Sequence, residues 1–366
     1  MHDVIIVGGG VIGLSIAREL AIQSRSVLVL DRGNPRDATS WAAAGMLAPQ
    51  SEADGSSPLF DLSLASAKLY RAWAGELHAE SGIDPEYADP GLLLVASTEE
   101  ELCRLRRNRD WQRSIGLTAD LLTPEEANRL EPHLTLPLTG ALLMPEECHV
   151  TPRRLLEAVT GACAAKGVEI RTGVRVLDVT SAGSRATGVR TATEQFQAPK
   201  VVIASGVRSS EIGGLSPAIP VSPRKGQILS LAASRPGFSR MVRWEHAYVI
   251  PRRNGDLIVG ATNEDAGFDR SITPAGVGTL LDKAQQLSSH LGNLPITEIW
   301  TGLRPATPDG LPIIGKSNLE GLVYATGHYR NGILLAPVTA ASVLCIMDGR
   351  PSPVPLGAFA PSRFAV

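Results

Sequence analysis

The residues best suited to chemistry lie at the start of the chain, in the stretch DVIIVGGGVIGLSIAREL at 3–20. Gly8, Gly10 and Gly13 follow an apolar run and lead into a helix-like segment. Gly8 permits the tight turn out of the strand, Gly10 lets a pyrophosphate approach the backbone, and Gly13 lets helix and strand pack closely. The free N–H groups at the helix N-terminus would then face phosphates.

An acidic residue follows where a dinucleotide-binding fold requires one. The strand-like run 27–30 ends at Asp31, whose carboxylate would accept hydrogen bonds from the ribose hydroxyls of an adenosine. An acidic residue at this position argues against a nucleotide with a 2′-phosphate on its adenosine ribose. Glycine clusters often serve only as turns, but strand, helix, second strand and terminal Asp together predict dinucleotide binding.

Two later turns and one loop suit the same kind of ligand. Ser205 and Gly206 form a small turn that an adenine nucleotide could approach closely. A glycine-rich turn leads into an apolar helix near the end of the chain, and the free N–H groups of residues 332–334 would point at a ligand. On a flavin pyrimidine, they would stabilise the negative charge that gathers on reduction. The loop 42–45 has little side-chain bulk, so a flat or large group could lie against its backbone.

Helices and strands of the first half must hold these turns in place. Residues 59–81 and 99–115 have the pattern of helices, and the second opens with a capping box of Thr98 and Glu101. The stretch LTPEEANRLEP repeats this device with Thr123 and Glu126. The patterns further along predict a helix at 151–167, strands at 168–171 and 174–179, and a buried strand at 201–204.

The segment 220–300 changes to alternating strands with one helix near 274–291. It contains Asn254-Gly255, the strongest short-range signal of a hairpin with a two-residue turn. Such a turn pairs Arg253 with Asp256, Tyr248 with Ala261, and His246 with Asn263. Because side chains alternate between faces, His246, Tyr248, Ala261 and Asn263 would share one face. Its polar groups indicate either a binding surface or a face open to solvent.

Length and composition set the class of protein. A chain of 366 residues with 43% hydrophobic and 20% charged residues is typical of a globular protein with two domains. The net charge of −2 gives no reason to expect nucleic acid as a partner. The longest apolar stretch, 332–347, contains Pro337 and is short for a membrane span, so we expect a cytoplasmic protein. The four cysteines and seven histidines lack metal-ligand spacing, and no metal is expected.

The fold class expected is α/β, a Rossmann-like nucleotide-binding domain with a second, mainly antiparallel α+β substrate domain. The helices after the first loop interrupt the nucleotide fold, and the last third of the chain closes it. We assign 1–85, 145–215 and 300–366 to the nucleotide-binding domain, and 86–144 with 216–299 to the substrate-binding domain.

Several motifs together resemble the family of FAD-dependent amine and D-amino-acid oxidases. They are the opening GGGVIG, the loop AAAGM, the turn ASG at 204–206, GLRPATPDGLPIIG and GHYRNGILLAP. The last two are far more specific than the glycine motif, and the resemblance covers essentially the whole chain. It is strongest to the members that oxidise glycine for thiamine biosynthesis.

The resemblance implies FAD as the cofactor and assigns residues to it. The ADP half would be bound by Gly8, Gly10, Val11, Ile12, Gly13, Asp31 and Arg32, with Val174, Ser205 and Gly206 near the adenine. The pyrophosphate and flavin would be lined by Thr39, Ser40, Ala44, Gly45 and Met46, and the flavin ring bordered by His328, Tyr329, Arg330, Asn331, Gly332, Ile333 and Leu334. For His328 a backbone contact is expected, since the family reaction needs no histidine base.

The resemblance also implies a substrate site. Arg304 matches the arginine that binds the substrate carboxylate, Tyr248 its hydroxyl partner, and Arg330 a second arginine on the substrate side. The alternatives are a structural salt bridge for Arg304, a core tyrosine for Tyr248 and a surface role for Arg330.

Two positions depart from the family pattern. Relatives with covalently attached flavin have a cysteine at the position of Gly302, so the FAD is expected to be non-covalent. Glycine-oxidising relatives have methionine where this chain has Asn263. An amide beside the substrate should favour small or polar amines over bulky apolar D-amino acids.

The activity implied is oxidative deamination of glycine and other small amines or D-amino acids. The imine would hydrolyse to an oxo acid and ammonia, dioxygen would yield hydrogen peroxide, and the imine itself would serve thiamine biosynthesis. A homo-oligomer is expected. The rivals are a D-amino-acid dehydrogenase that passes electrons to a non-oxygen acceptor, a nicotinamide dehydrogenase and a non-catalytic nucleotide-binding protein.

The paired glycine turns predict that the protein purifies yellow and releases FAD on acid precipitation. The absorption spectrum and chromatography of the supernatant measure this. Colour that stays with the precipitate, or bound NAD in place of FAD, contradicts the prediction.

Overall fold

The computed structural model describes residues 2–33, 38–233, 237–245 and 247–365. The strands are β1 (Val4–Val7), β2 (Val27–Asp31), β3 (Met46–Leu47), β4 (Leu92–Ala96), β5 (Asp120–Leu122), β6 (Gly140–Met144), β7 (Cys148–His149), β8 (Glu169–Thr172), β9 (Asp178–Ala182), β10 (Arg185–Arg190), β11 (Gln195–Gln197), β12 (Lys200–Ile203), β13 (Ser222–Ala232), β14 (Met241–Trp244), β15 (Ala247–Pro251), β16 (Asp256–Gly260), β17 (Ile296–Ala306), β18 (Ile313–Lys316) and β19 (Leu322–Thr326). The α-helices are α1 (Val11–Ile22), α2 (Thr39–Ala42), α3 (Pro58–Ser81), α4 (Glu99–Ser114), α5 (Pro124–Leu130), α6 (Pro152–Ala165), α7 (Pro274–Leu287) and α8 (Ala336–Asp348).

The first sheet has the strand order β18-β19-β12-β1-β2-β8 within the described residues. Strand β1 lies at its centre and pairs in parallel with β12 and β2. All four residues of β1 are buried, because α1, α6 and α8 cover one face and a second apolar cluster covers the other. The carboxyl ends of these parallel strands therefore meet at one edge, which is where ligands bind in such sheets.

The second sheet has the order β17-β13-β16-β15-β14-β4-β6-β5. Its pairs are antiparallel except that of β14 with β4. Helix α7 packs its apolar face on this sheet and joins a core with strands β13, β15 and β16. The predicted fold class, a Rossmann-like domain with a mainly antiparallel second domain, is confirmed.

Both predicted capping boxes are present, at Thr98 with Glu101 and at Thr123 with Glu126. The predicted strand 174–179 is wrong in its start, because residues 174–177 form no regular element and β9 begins at Asp178. The predicted helix 274–291 ends at Leu287, where Ser288 takes an extended conformation.

The β15–β16 hairpin differs from its predicted register by one residue. Tyr248 pairs with Gly260, not with Ala261. The amide of Gly255 donates to the carbonyl of Arg252 at 3.0 Å, and Gly255 takes a left-handed φ of 92°. The turn therefore contains three residues instead of two, which is the next most common way to close a hairpin. His246, placed on the same face by the sequence, lies outside the described residues.

The domain limits stay a prediction. Strand β17 continues across the predicted limit at residue 300, and it pairs with β13 from Ala306 opposite Ser222 to Ile296 opposite Leu231. A single strand therefore passes from the second sheet towards the first. Within the described ranges, no helix has the length and apolar composition needed to cross a membrane.

A buried carboxyl fixes the loop between β3 and α3. Glu147 is only 1% exposed, and its side chain accepts hydrogen bonds from the Gln50 amide at 2.7 Å and the Ser51 hydroxyl at 3.3 Å. Burial raises the pKa of Glu147 to about 8. The side chain of Gln112 holds the same loop through the Gln50 carbonyl at 3.1 Å.

The raised pKa of Glu147 predicts a pH-dependent stability. The native state keeps this proton up to about pH 8, whereas the unfolded chain releases it near pH 4.5, so stability falls as pH rises between these values. Glu147→Gln should match the parent Tm at pH 5 and exceed it by at least about 3 °C at pH 8.5. Glu146→Gln, which changes the exposed neighbouring carboxyl, is the control. A Tm difference that is the same at both pH values contradicts this account.

Candidate active site

A cavity of about 470 Å³ lies between the carboxyl edge of the first sheet and the second sheet. Most of the predicted site residues line it. Those on its wall are Gly8, Gly10, Val11, Ile12, Asp31, Arg32, Thr39, Ser40, Ala44, Gly45, Met46, Val174, Ser205, Gly206, Tyr248, Arg304, His328, Tyr329, Arg330, Asn331, Gly332 and Ile333. Gly13, Leu334 and Asn263 are not part of the wall. The structure thus brings residues from eight separate stretches of chain to one space.

Two glycines of the opening motif are required by the protein's own packing. A Cβ on Gly13 would stand 1.9 Å from the carbonyl oxygen of Gly8, and a Cβ on Gly8 would stand 2.4 Å from that of Ala204. Gly10 differs, because a Cβ there would meet only the Ser40 hydroxyl, at 3.3 Å. Gly8 and Gly13 therefore seat α1 against the sheet, while Gly10 leaves the backbone accessible from the cavity.

The carboxylate of Asp31 is fixed beside this turn. It accepts hydrogen bonds from the Gly9 amide at 2.6 Å and the Gly33 amide at 2.8 Å. Each carboxylate oxygen retains a further acceptor position, which suits a pair of ribose hydroxyls. The amide of Val174 donates to the Asp31 carbonyl at 2.9 Å, so both residues line the same end of the cavity.

The opposite end of the cavity has backbone amides without protein partners. Within the described ranges, no acceptor binds the amides of Ala44, Gly45, Gly332, Ile333 or Leu334. Gly45 has a left-handed φ of 83°, and a Cβ on it would stand 2.2 Å from the Val150 carbonyl. A cavity with an acid suited to ribose hydroxyls at one end and free amides at the other fits the polarity of FAD.

Arg304 lies on β17 with its guanidinium across Gly226, where an added Cβ would stand 2.4 Å from Nη2. Its Nη1 donates to the Thr262 carbonyl at 3.1 Å and the Lys225 carbonyl at 3.4 Å. The described residues place no carboxylate within salt-bridge distance of it, which disfavours a structural ion pair. Burial lowers the pKa of Arg304, so this guanidinium is partly desolvated and open to an anion from the cavity.

Tyr248 reaches the cavity from β15. Its ring packs over Gly260, where a Cβ would come within 2.4 Å of the phenol oxygen. The ring also packs against a hydrophobic cluster, so it is both a core residue and a wall residue. Burial raises the pKa of Tyr248 to about 12, which keeps the phenol protonated and able to donate a hydrogen bond.

Arg330 and Asn263 lie at the mouth of the cavity, and both are exposed. The Asn263 side chain accepts a hydrogen bond from the Tyr329 hydroxyl at 3.3 Å. The Arg330 guanidinium lies 5.7 Å from the centre of the Tyr329 ring. Asn263 does not line the cavity beside Tyr248, because β16 ends at Gly260 and the amides of Thr262 and Glu264 bind to β13.

His328 is buried behind the turn that borders the flavin end. Its Nε2 shares a hydrogen bond with the Thr339 hydroxyl at 3.1 Å. Burial lowers the pKa of His328 to about 3, so the imidazole is neutral near pH 7. Such a weakly basic side chain has no role as a base in the neutral range, and the expected backbone contact of His328 stays a prediction.

Several charged residues on the wall were not identified from the sequence, and two of them, Glu52 and Arg243, form a pair. Glu52 lies on the loop between β3 and α3, and its Oε1 is 3.6 Å from Nη1 of Arg243 on β14. Arg243 also donates to the Ser51 carbonyl at 2.5 Å. The two residues are far apart in the sequence and belong to no motif, so only the tertiary structure reveals the pair.

The comparisons with known proteins agree with this geometry. A family model described as FAD dependent oxidoreductase matches residues 3–344. The chain is 37% identical over 368 residues to glycine oxidase of Geobacillus kaustophilus. The aligned region covers 99% of this chain and 97% of that protein. The solved structure of glycine oxidase from Geobacillus kaustophilus superimposes with a TM-score of 0.95 over 100% of this chain and 99% of that one.

A longer relative is equally similar. The bifunctional protein ThiO/ThiG of Trichormus variabilis is 37% identical over 369 residues, which covers 99% of this chain but 55% of that protein. The chain thus spans about half the length of the bifunctional relatives it matches.

Proposed function

Because this chain belongs to the FAD dependent oxidoreductase family, we propose that it is an FAD-dependent oxidase of glycine and other small amines or D-amino acids. The products are the imine or oxo acid, ammonia and hydrogen peroxide, and the imine serves thiamine biosynthesis. The observation that carries this proposal is Arg304, a partly desolvated guanidinium beside Tyr248 on the wall of a cavity that fits FAD. The names of the similar glycine oxidase and ThiO/ThiG proteins support it.

The substrate carboxylate binds to Arg304 as a bidentate fork, and the Tyr248 hydroxyl donates a further hydrogen bond. Both groups lie on the second sheet, Arg304 on β17 and Tyr248 on β15, and this sheet holds them rigidly against the cavity. This fixes the α-carbon of the amino acid, so positioning supplies most of the catalysis. When bound, FAD supplies the hydride acceptor, which dioxygen reoxidises.

The FAD is held without a covalent bond in this proposal. An added Cβ on Gly302 would stand 2.7 Å from Cβ of Ala42, so the chain has little room there for a cysteine side chain. Asp31 and the backbone at Gly10 bind the ADP half, and the amides of Gly332 and Ile333 face the flavin. Residence in the cytoplasm and assembly into a homo-oligomer stay predictions.

An anaerobic titration of the purified protein with glycine, sarcosine and D-alanine tests the proposal. At least one amine should bleach the flavin absorption, and air should restore it with release of hydrogen peroxide. Bound flavin that no amine bleaches contradicts an amine oxidase. Bleaching that air does not reverse points instead to the alternative dehydrogenase with a non-oxygen acceptor.

Arg304→Ala should lose substrate turnover and keep its FAD. Loss of one partner of a desolvated charge pair costs roughly 2 to 5 kcal/mol, which is about thirty-fold to several-thousand-fold in kcat/KM. Arg224→Ala is the matched control, because Arg224 lies opposite Arg304 on β13 but pairs with Asp265 at the surface. If Arg304→Ala retains more than about a third of parental kcat/KM for glycine, the carboxylate anchor lies elsewhere.

Asn263 at the mouth of the cavity should influence substrate preference only weakly. A surface substitution changes free energies by about 0.5 kcal/mol, roughly twofold, whereas a buried polar group would change them by far more. Asn263→Met should therefore raise the kcat/KM for D-alanine relative to glycine by about twofold. A change above about tenfold would show that the amide lies beside the substrate after all.

A further inference from the structure

Arg252 lies directly after β15, the strand that carries Tyr248, and reaches away from the cavity wall. Its Nη2 donates to the Ala44 carbonyl, and its Nη1 donates to the Val150 carbonyl at 2.8 Å and lies 3.0 Å from Nδ1 of His149. One guanidinium thus joins three stretches of chain that are far apart in the sequence. These are the second sheet, the loop before β3 and the segment before α6.

All three partners of Arg252 are uncharged. Burial lowers the pKa of His149 to about 3, so its imidazole is neutral and Nδ1 can accept a hydrogen bond. Burial also lowers the pKa of Arg252 to about 10, which leaves the guanidinium charged near pH 7. Among the described residues, no carboxylate lies within salt-bridge distance of it. Arg252 is half-buried, and a charge that loses part of its hydration without a counter-ion is costly, so its hydrogen bonds must serve the fold or the site.

The hydrogen bonds of Arg252 set the direction of the peptide groups in the loop 42–46. The Ala44 carbonyl is bound by Arg252, and the Gly45 carbonyl accepts a hydrogen bond from the Val150 amide at 2.9 Å. Both carbonyls are therefore engaged by protein, whereas the amides of the same two residues have no acceptor in the described part of the chain. Ala44 and Gly45 both line the cavity, at the end assigned to the flavin.

We propose that Arg252 is a positioning residue for FAD, which orients the Ala44 and Gly45 amides towards the cofactor. It does so from the strand that also holds Tyr248, so one element fixes the cofactor loop relative to the substrate group. The proposal rests on FAD occupying this cavity and does not depend on which amine is oxidised.

The test compares Arg252→Met with Arg253→Met. Arg253 is the adjacent residue, is exposed and pairs with Asp84 at 2.6 Å, a surface ion pair that contributes little to stability. FAD dissociation is measured by diluting each holoenzyme and following the fluorescence of released flavin. Arg252→Met should raise the Kd for FAD at least about tenfold and shift the visible absorption of the bound flavin, whereas Arg253→Met should change the Kd less than about twofold.

Arg252→Lys provides the second variant if Arg252→Met does not fold. Lysine keeps the positive charge but can bind only one of the two carbonyls well, since it lacks the planar fork. Its Kd for FAD should rise at least about threefold. A parental Kd and flavin spectrum in the Lys variant, even with a lower Tm, would show that Arg252 serves only the fold and would overturn the proposal. A parent protein without FAD would instead contradict the proposed function.

Discussion

The backbone of Gly13 approaches the carbonyl of Gly8 so closely that a single added carbon atom would lie 1.9 Å from the oxygen. This contact presses the N-terminus of α1 against β1 and fixes the carboxyl edge of the first sheet as the floor of the cavity. Asp31 then stands beside the turn because β2 is in register with β1. The position of Asp31 and of the backbone at the start of α1 therefore follows from one steric constraint on the backbone.

The second sheet supplies what the first cannot, a rigid set of side chains opposite the cofactor. Tyr248 and Arg304 come from strands separated by β16 and β13, and glycines at 260 and 226 provide the space in which their side chains lie. Burial raises the pKa of Tyr248 and lowers the pKa of Arg304. It keeps the phenol protonated, and it leaves the guanidinium poorly hydrated, so an incoming carboxylate displaces little water.

The loops between the sheets are held by one buried and one half-buried ionisable group, whose partners are mostly backbone groups. Glu147 accepts hydrogen bonds from the loop that carries Glu52, and Arg252 donates to the loop that carries Ala44 and Gly45. Moving such an ionisable group would break its hydrogen bonds to the backbone and leave polar groups without partners. Because this costs free energy, each loop is held in one conformation. Loops at the cavity are thus positioned by groups that do not themselves line it.

The sequence by itself determined the family, the glycine turns, the acid at the end of β2 and the arginine of GLRPATPDG, because each depends on local spacing along one or two neighbouring elements. It also indicated a hairpin at Asn254-Gly255. Only the tertiary structure decided the register of that hairpin, the exposed position of Asn263, and the contacts of Glu52 with Arg243 and of Arg252 with Ala44. These depend on a one-residue difference in turn length and on side chains that meet across sheets, and neither leaves a periodic pattern in the sequence.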